Sequence, residues 1–226
     1  MDANLERIIH IRVKRAMEAL EKNNMKAFYV PGKKEALALV STMLAEGETI
    51  GVGGSVTLSE TGILELLRSG RYNFLDRYEK GLKPEEVKKV LKQSLLSDTF
   101  LTSTNAITET GLLYNVDGNS NRVAALLYGP ERVIVIAGFN KIVPTLKDAV
   151  IRVKQTAAPA NCVRLDCDTY CEKSGRCLRP VCDDSDLMTL PPGACQNTIC
   201  CNSVVTGRQR RPDRIFVIIV GEELGY

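Results

Sequence analysis

The chain has 226 residues, with 30 Lys and Arg against 27 Asp and Glu, so its net charge is only +3. This balance gives no reason to expect nucleic acid or an anionic membrane as a partner. Without a long apolar run, the sequence predicts no segment that spans a bilayer. The single histidine, His10, excludes a His-rich zinc site and leaves general acid–base chemistry to carboxylates, Lys, Tyr or Cys.

The N-terminal segment predicts an amphipathic helix over residues 4–22, because its apolar side chains recur at three- and four-residue steps. This segment is too charged for a secretory signal peptide, and we therefore expect a cytoplasmic protein. A short apolar strand follows over 27–30, and helical spacing returns over 33–46.

A strand, a glycine loop and a helix follow one another next. Thr49–Val52 predicts the strand, and Thr57 with Glu60 has capping-box spacing for a helix over 58–68. The loop between them consists of Gly53, Gly54 and Ser55. This order presents backbone N–H groups to a phosphate, a carboxylate or a carbonyl oxygen. The alternative is a tight turn without a ligand.

The glycine loop does not match a known cofactor fingerprint. Val56 stands where the dinucleotide-binding pattern requires glycine or alanine, and no Gly-Lys-Ser/Thr sequence follows as in a P-loop. We find no fingerprint for NAD or a flavin in this sequence.

Strands and helices alternate over most of the chain. Further strands are predicted at 72–75, 99–103, 123–127, 133–137 and 214–220, and further helices at 84–94 and 145–154. We expect a three-layer, Rossmann-like α/β domain with a mostly parallel sheet. Ligands of such sheets gather at the carboxyl ends of the strands.

The stretch from Leu101 to Arg122 is rich in amides, hydroxyls and carboxylates. Unpaired groups of this kind are costly in a core, by about 1–3 kcal/mol each, and polar loops beside a sheet often bind ligands. A hairpin turning at Asp117-Gly118 is the alternative. Because the stretch and the glycine loop both follow strands, we expect them to face one crevice.

All eight cysteines lie between residues 162 and 201. A disulfide framework is disfavoured in a cytoplasmic protein, which favours thiolate ligation of a metal in a segment with no histidine. No Cys-x2-Cys pair occurs, so the spacing leaves open an iron–sulfur cluster, zinc, and free thiols or disulfides.

Four segments carry a family resemblance: GGSVTLSETGILELL, TSTNAITETGLLYNVDGNSNRVAALLYGPERVIVIAGFNKIV, APANCVRLDCDTYCEKSGRC and RIFVIIVGEELGY. On these segments the chain resembles the lactate-utilisation (LUD) domain family. The resemblance implies one LUD domain over 1–226, with 160–205 a Cys-rich insertion before the last strand. It also implies a fold similar to the ribose-phosphate isomerase, glucosamine-phosphate deaminase and coenzyme A transferase superfamily.

The resemblance further implies a part in oxidising lactate or another organic acid to a keto acid, beside iron–sulfur oxidoreductase subunits. One alternative is a free-standing isomerase- or transferase-type enzyme. Another is a non-catalytic metal-binding or regulatory module. A homo-oligomer is compatible with each of these.

Carboxylates near strand ends act as base or nucleophile in superfamily enzymes, so the resemblance suggests Glu109 and Glu60 as catalytic candidates. The structural alternatives are a hydrogen-bonding role for Glu109 and helix capping for Glu60. The residues expected to bind a small carboxylate or phosphate substrate are Gly53, Gly54, Ser55, Thr57, Ser103, Thr104, Asn105, Asp117, Asn121 and Arg122.

The resemblance also suggests metal ligands. Comparison with the family's Cys pattern favours Cys171, Cys177, Cys182 and Cys200, with Cys167 and Cys195 in reserve. Residues 183–196 correspond to an insertion in that pattern.

Overall fold

A computed structural model describes residues 2–178 and 195–226. Its strands are β1 Lys26–Val30, β2 Thr49–Val52, β3 Asn73–Phe74, β4 Thr99–Thr102, β5 Ala106–Thr108, β6 Leu113–Asp117, β7 Arg132–Gly138, β8 Ile142–Val143, β9 Asn202–Thr206 and β10 Ile215–Val220. Its α-helices are α1 Ala3–Lys22, α2 Lys33–Met43, α3 Val56–Glu60, α4 Ile63–Leu67, α5 Pro84–Gln93, α6 Asn121–Leu127, α7 Leu146–Arg152, α8 Ala158–Leu165 and α9 Tyr170–Ser174.

The main sheet has the strand order β1-β10-β7-β4-β2-β3, and every neighbouring pair is parallel. Its central strands β7 and β10 are almost continuously apolar and buried, as expected for strands covered on both faces. The mixed α/β class with a largely parallel sheet is therefore confirmed.

Two hydrophobic cores lie on opposite faces of this sheet. Strand β7 contributes side chains to both cores. Ile134 and Ile136 pack with α2, α3 and α4, whereas Val133 and Val135 pack with α1 and α6. Side chains of a strand point alternately to the two faces, so one strand serves both cores. The three-layer arrangement follows from this alternation.

A second, smaller sheet has the order β8-β5-β6-β9 and was not predicted. Strands β5 and β6 form an antiparallel hairpin whose turn contains Gly111 at φ +79°. A Cβ atom on Gly111 would lie 2.5 Å from the backbone of Ala19, so glycine lets the turn pack directly on α1.

The prediction of a strand over 123–127 is wrong, since these residues belong to α6. The apolar run is too short for its periodicity to separate a strand from a buried helix. In the structure Val123 and Leu126 are buried at helical spacing and Leu127 is exposed.

The hairpin alternative at Asp117-Gly118 is also wrong. Gly118 lacks a positive φ. Instead, Asp117 Oδ1 accepts hydrogen bonds from the backbone N–H groups of Asn119 and Ser120, and this turn leads into α6.

Two helix predictions need adjustment. The helix predicted over 58–68 is split into α3 and α4 at Thr61-Gly62, where Gly62 has φ +72°. The helix predicted over 145–154 corresponds to α7, and a π-helical turn at Val153–Ala157 continues it into α8. None of the helices within residues 2–178 and 195–226 has the length and hydrophobicity needed to cross a bilayer.

Candidate functional site

A cavity of about 350 Å³ lies at the carboxyl ends of β2, β4 and β7. The glycine loop and the polar stretch both line it, as the strand order leads one to expect. The predicted binding residues in its wall are Gly54, Ser55, Ser103, Thr104, Asn105, Asp117, Asn121 and Arg122. We refer to this cavity as the crevice.

Gly53 and Thr57 lie immediately behind the crevice. The N–H of Gly53 donates to Leu101 O, and a Cβ atom on Gly53 would lie 2.7 Å from Thr102 Oγ1. The loop therefore packs closely on β4. Thr57 is fully buried and accepts a hydrogen bond from Lys141 Nζ.

The start of α3 differs from the predicted capping box. Ser55 is the N-cap, and its Oγ accepts from the N–H of Leu58. Glu60 instead accepts a hydrogen bond from the N–H of Gly225 at 2.7 Å. Its carboxylate thus holds the C-terminal segment and does not cap the helix.

Lys141 is a candidate site residue that the sequence analysis missed. It is 2% exposed and belongs to the short turn that follows β7. Its Nζ donates to Thr57 Oγ1 at 3.1 Å and to Ser103 Oγ at 3.0 Å. The position of Lys141 in the sequence could have indicated this location. A lysine three residues beyond a buried parallel strand lies at the same sheet edge as the glycine loop.

Burial first, and then the charges of Arg152 and Arg122, lower the pKa of Lys141 to about 7, while the charge of Glu60 acts in the opposite direction. Among the described residues no carboxylate lies within ion-pair distance of its amine. An amine with this pKa is partly neutral near pH 7, which makes it a potential nucleophile or base.

Arg122 supports the wall and is not a free anion ligand. All three guanidinium nitrogens donate to protein oxygens, through an ion pair with Asp117 and hydrogen bonds to Asn105, Asn115, Ser103 O and Val116 O. Desolvation lowers its pKa, and the charge of Asp117 opposes that shift. The guanidinium group of Arg122 therefore orients the side chains of Asn105 and Asp117 at the crevice.

Glu109 lies outside the crevice. It follows β5, is 8% exposed, and its carboxylate forms ion pairs with Arg12 and Arg15 of α1. This arrangement favours the structural role that sequence analysis left open, because the carboxylate ties the small sheet to α1.

Positive groups outnumber negative ones along the crevice. Besides Lys141 and Arg122, Arg77 and Arg164 line it, and neither has a carboxylate partner in the described part of the chain. The only acidic residue in the described wall is Asp117, which Arg122 neutralises. The crevice is therefore suited to an anion.

A second, smaller cavity of about 60 Å³ lies beside the crevice, and we call it the thiol cavity. The cysteines in its wall are Cys162, Cys171, Cys177, Cys195 and Cys200. Cys182 lies outside the described residues, and Cys201 is exposed. Three of the four favoured metal ligands thus share one cavity with a reserve residue.

One pair of these thiols is in contact, and burial disfavours the thiolate form of two of the cysteines. The Sγ atoms of Cys171 and Cys162 are 3.6 Å apart. Burial raises the pKa values of Cys162 and Cys200 to about 12. Across residues 2–178 and 195–226, no three His, Cys, Asp or Glu side chains converge as a bound metal ion requires.

The crevice and the thiol cavity share a wall. The residues that line both are Val116, Val153, Ala158, Ile199 and Cys200. The described parts of the segment that carries the cysteines therefore contribute to the wall of the crevice.

Comparison with known proteins connects this architecture to one family. The family model described as "LUD domain" matches residues 13–220. The crystal structure of a DUF162 family protein from Deinococcus radiodurans superimposes with a TM-score of 0.52 at 16% identity, over 94% of this chain and 98% of that one. At that identity the likeness shows a shared fold. No curated protein matches the chain significantly.

Proposed function

This chain belongs to the LUD domain family, which is associated with lactate utilisation, and from this premise we propose that its crevice binds a small 2-hydroxy or 2-oxo acid during organic-acid oxidation. The observation that carries the proposal is the buried amine of Lys141, which has no carboxylate partner among the described residues and faces a cavity of about 350 Å³. A carboxylate-bearing ligand supplies the missing negative charge.

The polarity of the crevice agrees with such a ligand. Asn105 Oδ1 already accepts from Val116 N and from Arg122, which leaves the NH2 group of Asn105 for a ligand. Arg77 and Arg164 add positive charge. The phenolic oxygen of Tyr226 is buried without a hydrogen-bond partner in the described residues, although its side chain lines the crevice. An acid with a hydroxyl or carbonyl oxygen offers acceptors to such donors.

We assign the redox step to partner subunits of the iron–sulfur oxidoreductase type, as the resemblance to the LUD domain family implies. The chain's own residues hold and orient the acid. The alternative hypothesis of an isomerase- or transferase-type enzyme that uses Glu109 is disfavoured, because this carboxylate lies away from the crevice and is paired with two arginines.

Calorimetric titration with L-lactate, pyruvate and inorganic phosphate tests the proposal. We expect the wild type to bind a 2-hydroxy or 2-oxo acid, and Lys141→Met to bind it at least about tenfold more weakly, which corresponds to roughly 1.4 kcal/mol. Lys34→Met is the matched control, because Lys34 is exposed on α2. Equal affinities in wild type and Lys141→Met, or no binding of either acid to the wild type, would overturn the proposal.

A second candidate function, metal binding, rests on the thiol cavity. Its five cysteines are soft sulfur donors of the kind that iron–sulfur clusters and zinc prefer. Cys171, Cys177, Cys195 and Cys200 would hold the group only after their side chains move together, because no three of the described side chains converge as a metal requires. An iron–sulfur cluster would supply electron transfer there, and zinc would supply structural cross-linking.

Metal analysis and visible spectra of protein purified without oxygen test this candidate. We expect iron or zinc in the wild type and in Cys201→Ser, whose exposed thiol lies outside the cavity wall. Cys177→Ser should lose most of the metal. A wild type without iron or zinc, or full metal content in Cys177→Ser, contradicts metal binding.

A further inference from the structure

We propose that Lys141 is a covalent site, and that its amine forms an imine with the carbonyl carbon of a 2-oxo acid bound in the crevice. This inference rests on the proposed function, because the acid must first enter the crevice. It narrows the ligand class, since a 2-hydroxy acid has no carbonyl group with which an amine can condense.

The position of Lys141 is unusual for a structural lysine. Lysines are almost never fully buried unless they are paired, yet the only described partners of this amine are the neutral hydroxyls of Thr57 and Ser103. Leaving a buried amine without a counterion costs stability. Such a cost is typical of functional sites, where it is offset elsewhere in the fold.

The charged groups around the amine favour its neutral form. Arg152 approaches from α7 and donates to the backbone oxygens of Asn105 and Asn140. Arg122 approaches from α6, and Glu60 from α3 provides the one opposing charge. An amine that is desolvated beside other cations is an activated nucleophile.

The surroundings also hold the amine in one place. Hydroxyls from α3 and from the loop after β4 fix Nζ between them. The C-terminal segment closes the other side, since a Cβ atom on Gly225 would lie 3.4 Å from Nζ. Gly225 is itself fixed by Glu60 and by Asn140 Nδ2. A nucleophile fixed in this way loses little orientational freedom on reaction.

The chemistry balances without an oxidant or reductant. The nitrogen lone pair attacks the C2 carbonyl, a C–N bond forms, and the carbonyl oxygen takes a proton to give a carbinolamine. The hydroxyl then leaves as water after a second protonation, and the C=N bond forms. The amine nitrogen loses two protons as the oxygen gains two, so the condensation releases water with no net change in protons.

Reductive trapping tests the imine. The wild type is incubated with pyruvate and cyanoborohydride at neutral pH and then analysed by intact-mass and peptide-mass spectrometry. We expect an adduct at Lys141 whose added mass equals pyruvic acid less one oxygen atom. Because about half of an amine with pKa near 7 is neutral at pH 7, labelling at Lys141 should be at least about tenfold faster than at any other lysine.

Matched samples make the result specific. L-lactate with the same reductant should give no adduct, Lys141→Met should give none at position 141, and Lys34→Met should label at Lys141 as the wild type does. Labelling spread over surface lysines with none at Lys141 overturns the imine. If calorimetry then still shows pyruvate binding that depends on Lys141, the proposed function stands without the imine. If no acid binds at all, both fail.

Discussion

The Nζ atom of Lys141 lies 3.0 Å from the Oγ atom of Ser103, and this hydrogen bond joins the segments that follow β7 and β4. The two strands are parallel neighbours, so both segments emerge at one edge of the sheet. The contact therefore depends on the strand order of the domain, and it brings a residue from the polar stretch to the amine.

Replacement of Ser103 by Ala should weaken binding of pyruvate by about fivefold or more, because the loss of one buried hydrogen bond costs roughly 1–3 kcal/mol. Calorimetry measures this change. Ser97→Ala is the control, since Ser97 is similarly buried and its hydroxyl donates to Ser94 O and Thr99 O outside the crevice wall. Equal affinities for the two variants would contradict a role for Ser103 in binding.

Lys141→Met should stabilise the fold most at neutral and acidic pH. The folded-state pKa of Lys141 is lowered to about 7, whereas an unfolded lysine titrates near 10.4. Between these values the unfolded chain binds more protons, so the stability of the wild type rises with pH. Below the folded pKa, the cost of the buried cation is fully present.

Urea unfolding at several pH values measures this effect. We expect the stability advantage of Lys141→Met to be largest below pH 7 and to shrink as the pH rises toward the unfolded pKa. Lys34→Met, at an exposed position, should show no such trend. A pH-independent difference between Lys141→Met and the wild type would show that the amine is not the cause.

Glu109→Gln should destabilise the protein but leave ligand affinity unchanged. The substitution removes the charge that Arg12 and Arg15 share, and it leaves a less favourable acceptor in a buried position. Truncating one partner of a partly exposed network costs about 1–2 kcal/mol. Urea unfolding and calorimetry report the two effects separately. Loss of pyruvate binding without loss of stability would restore Glu109 as a site residue.

Gly111→Ala should be severely destabilising, by roughly 3 kcal/mol or more, because it combines a positive φ with a backbone overlap. The new Cβ atom would lie 2.5 Å from Ala19 C and O, which cannot move without shifting α1. Gly47→Ala separates the two causes, since Gly47 has φ +76° but open space around it. Thermal unfolding should show a loss of only about 1 kcal/mol for Gly47→Ala. Similar losses in both variants would contradict the packing argument.

Local sequence patterns predict the main sheet well because its strands are short apolar runs bounded by glycine, proline or polar residues. The prediction for β2 matches the observed Thr49–Val52, and the apolar runs at β7 and β10 are correct within one residue at each end. Their burial on both faces produces a signal that needs no knowledge of partners.

The errors occur where tertiary contacts decide the structure. Residues 123–127 are as apolar as a strand, but the turn at Asp117 and packing against the sheet make them helical. The small sheet was missed because β5 and β8 are only two or three residues long and are stabilised by pairing across distant parts of the chain.

The candidate site was predictable in location but not in composition. Two segments that follow parallel strands must meet at one edge, so the glycine loop and the polar stretch lie together. Which groups are left free depends on side-chain pairing, which the sequence does not show. Arg122 is fully paired, Glu109 is turned toward α1, and Lys141 is left without a counterion among the described residues.

The crevice and the thiol cavity share a wall, which is formed by Val116, Val153, Ala158, Ile199 and Cys200. Any displacement of this wall changes the shape of both cavities. If a metal bound to Cys200 displaced this wall, the volume of the crevice available to an organic acid would change. A bound acid that displaced the wall would likewise change the affinity of the thiol cavity for the metal. Thermodynamic reciprocity requires the two changes in affinity to be the same factor. Occupancy of the thiol cavity and occupancy of the crevice would thus be linked through these five residues.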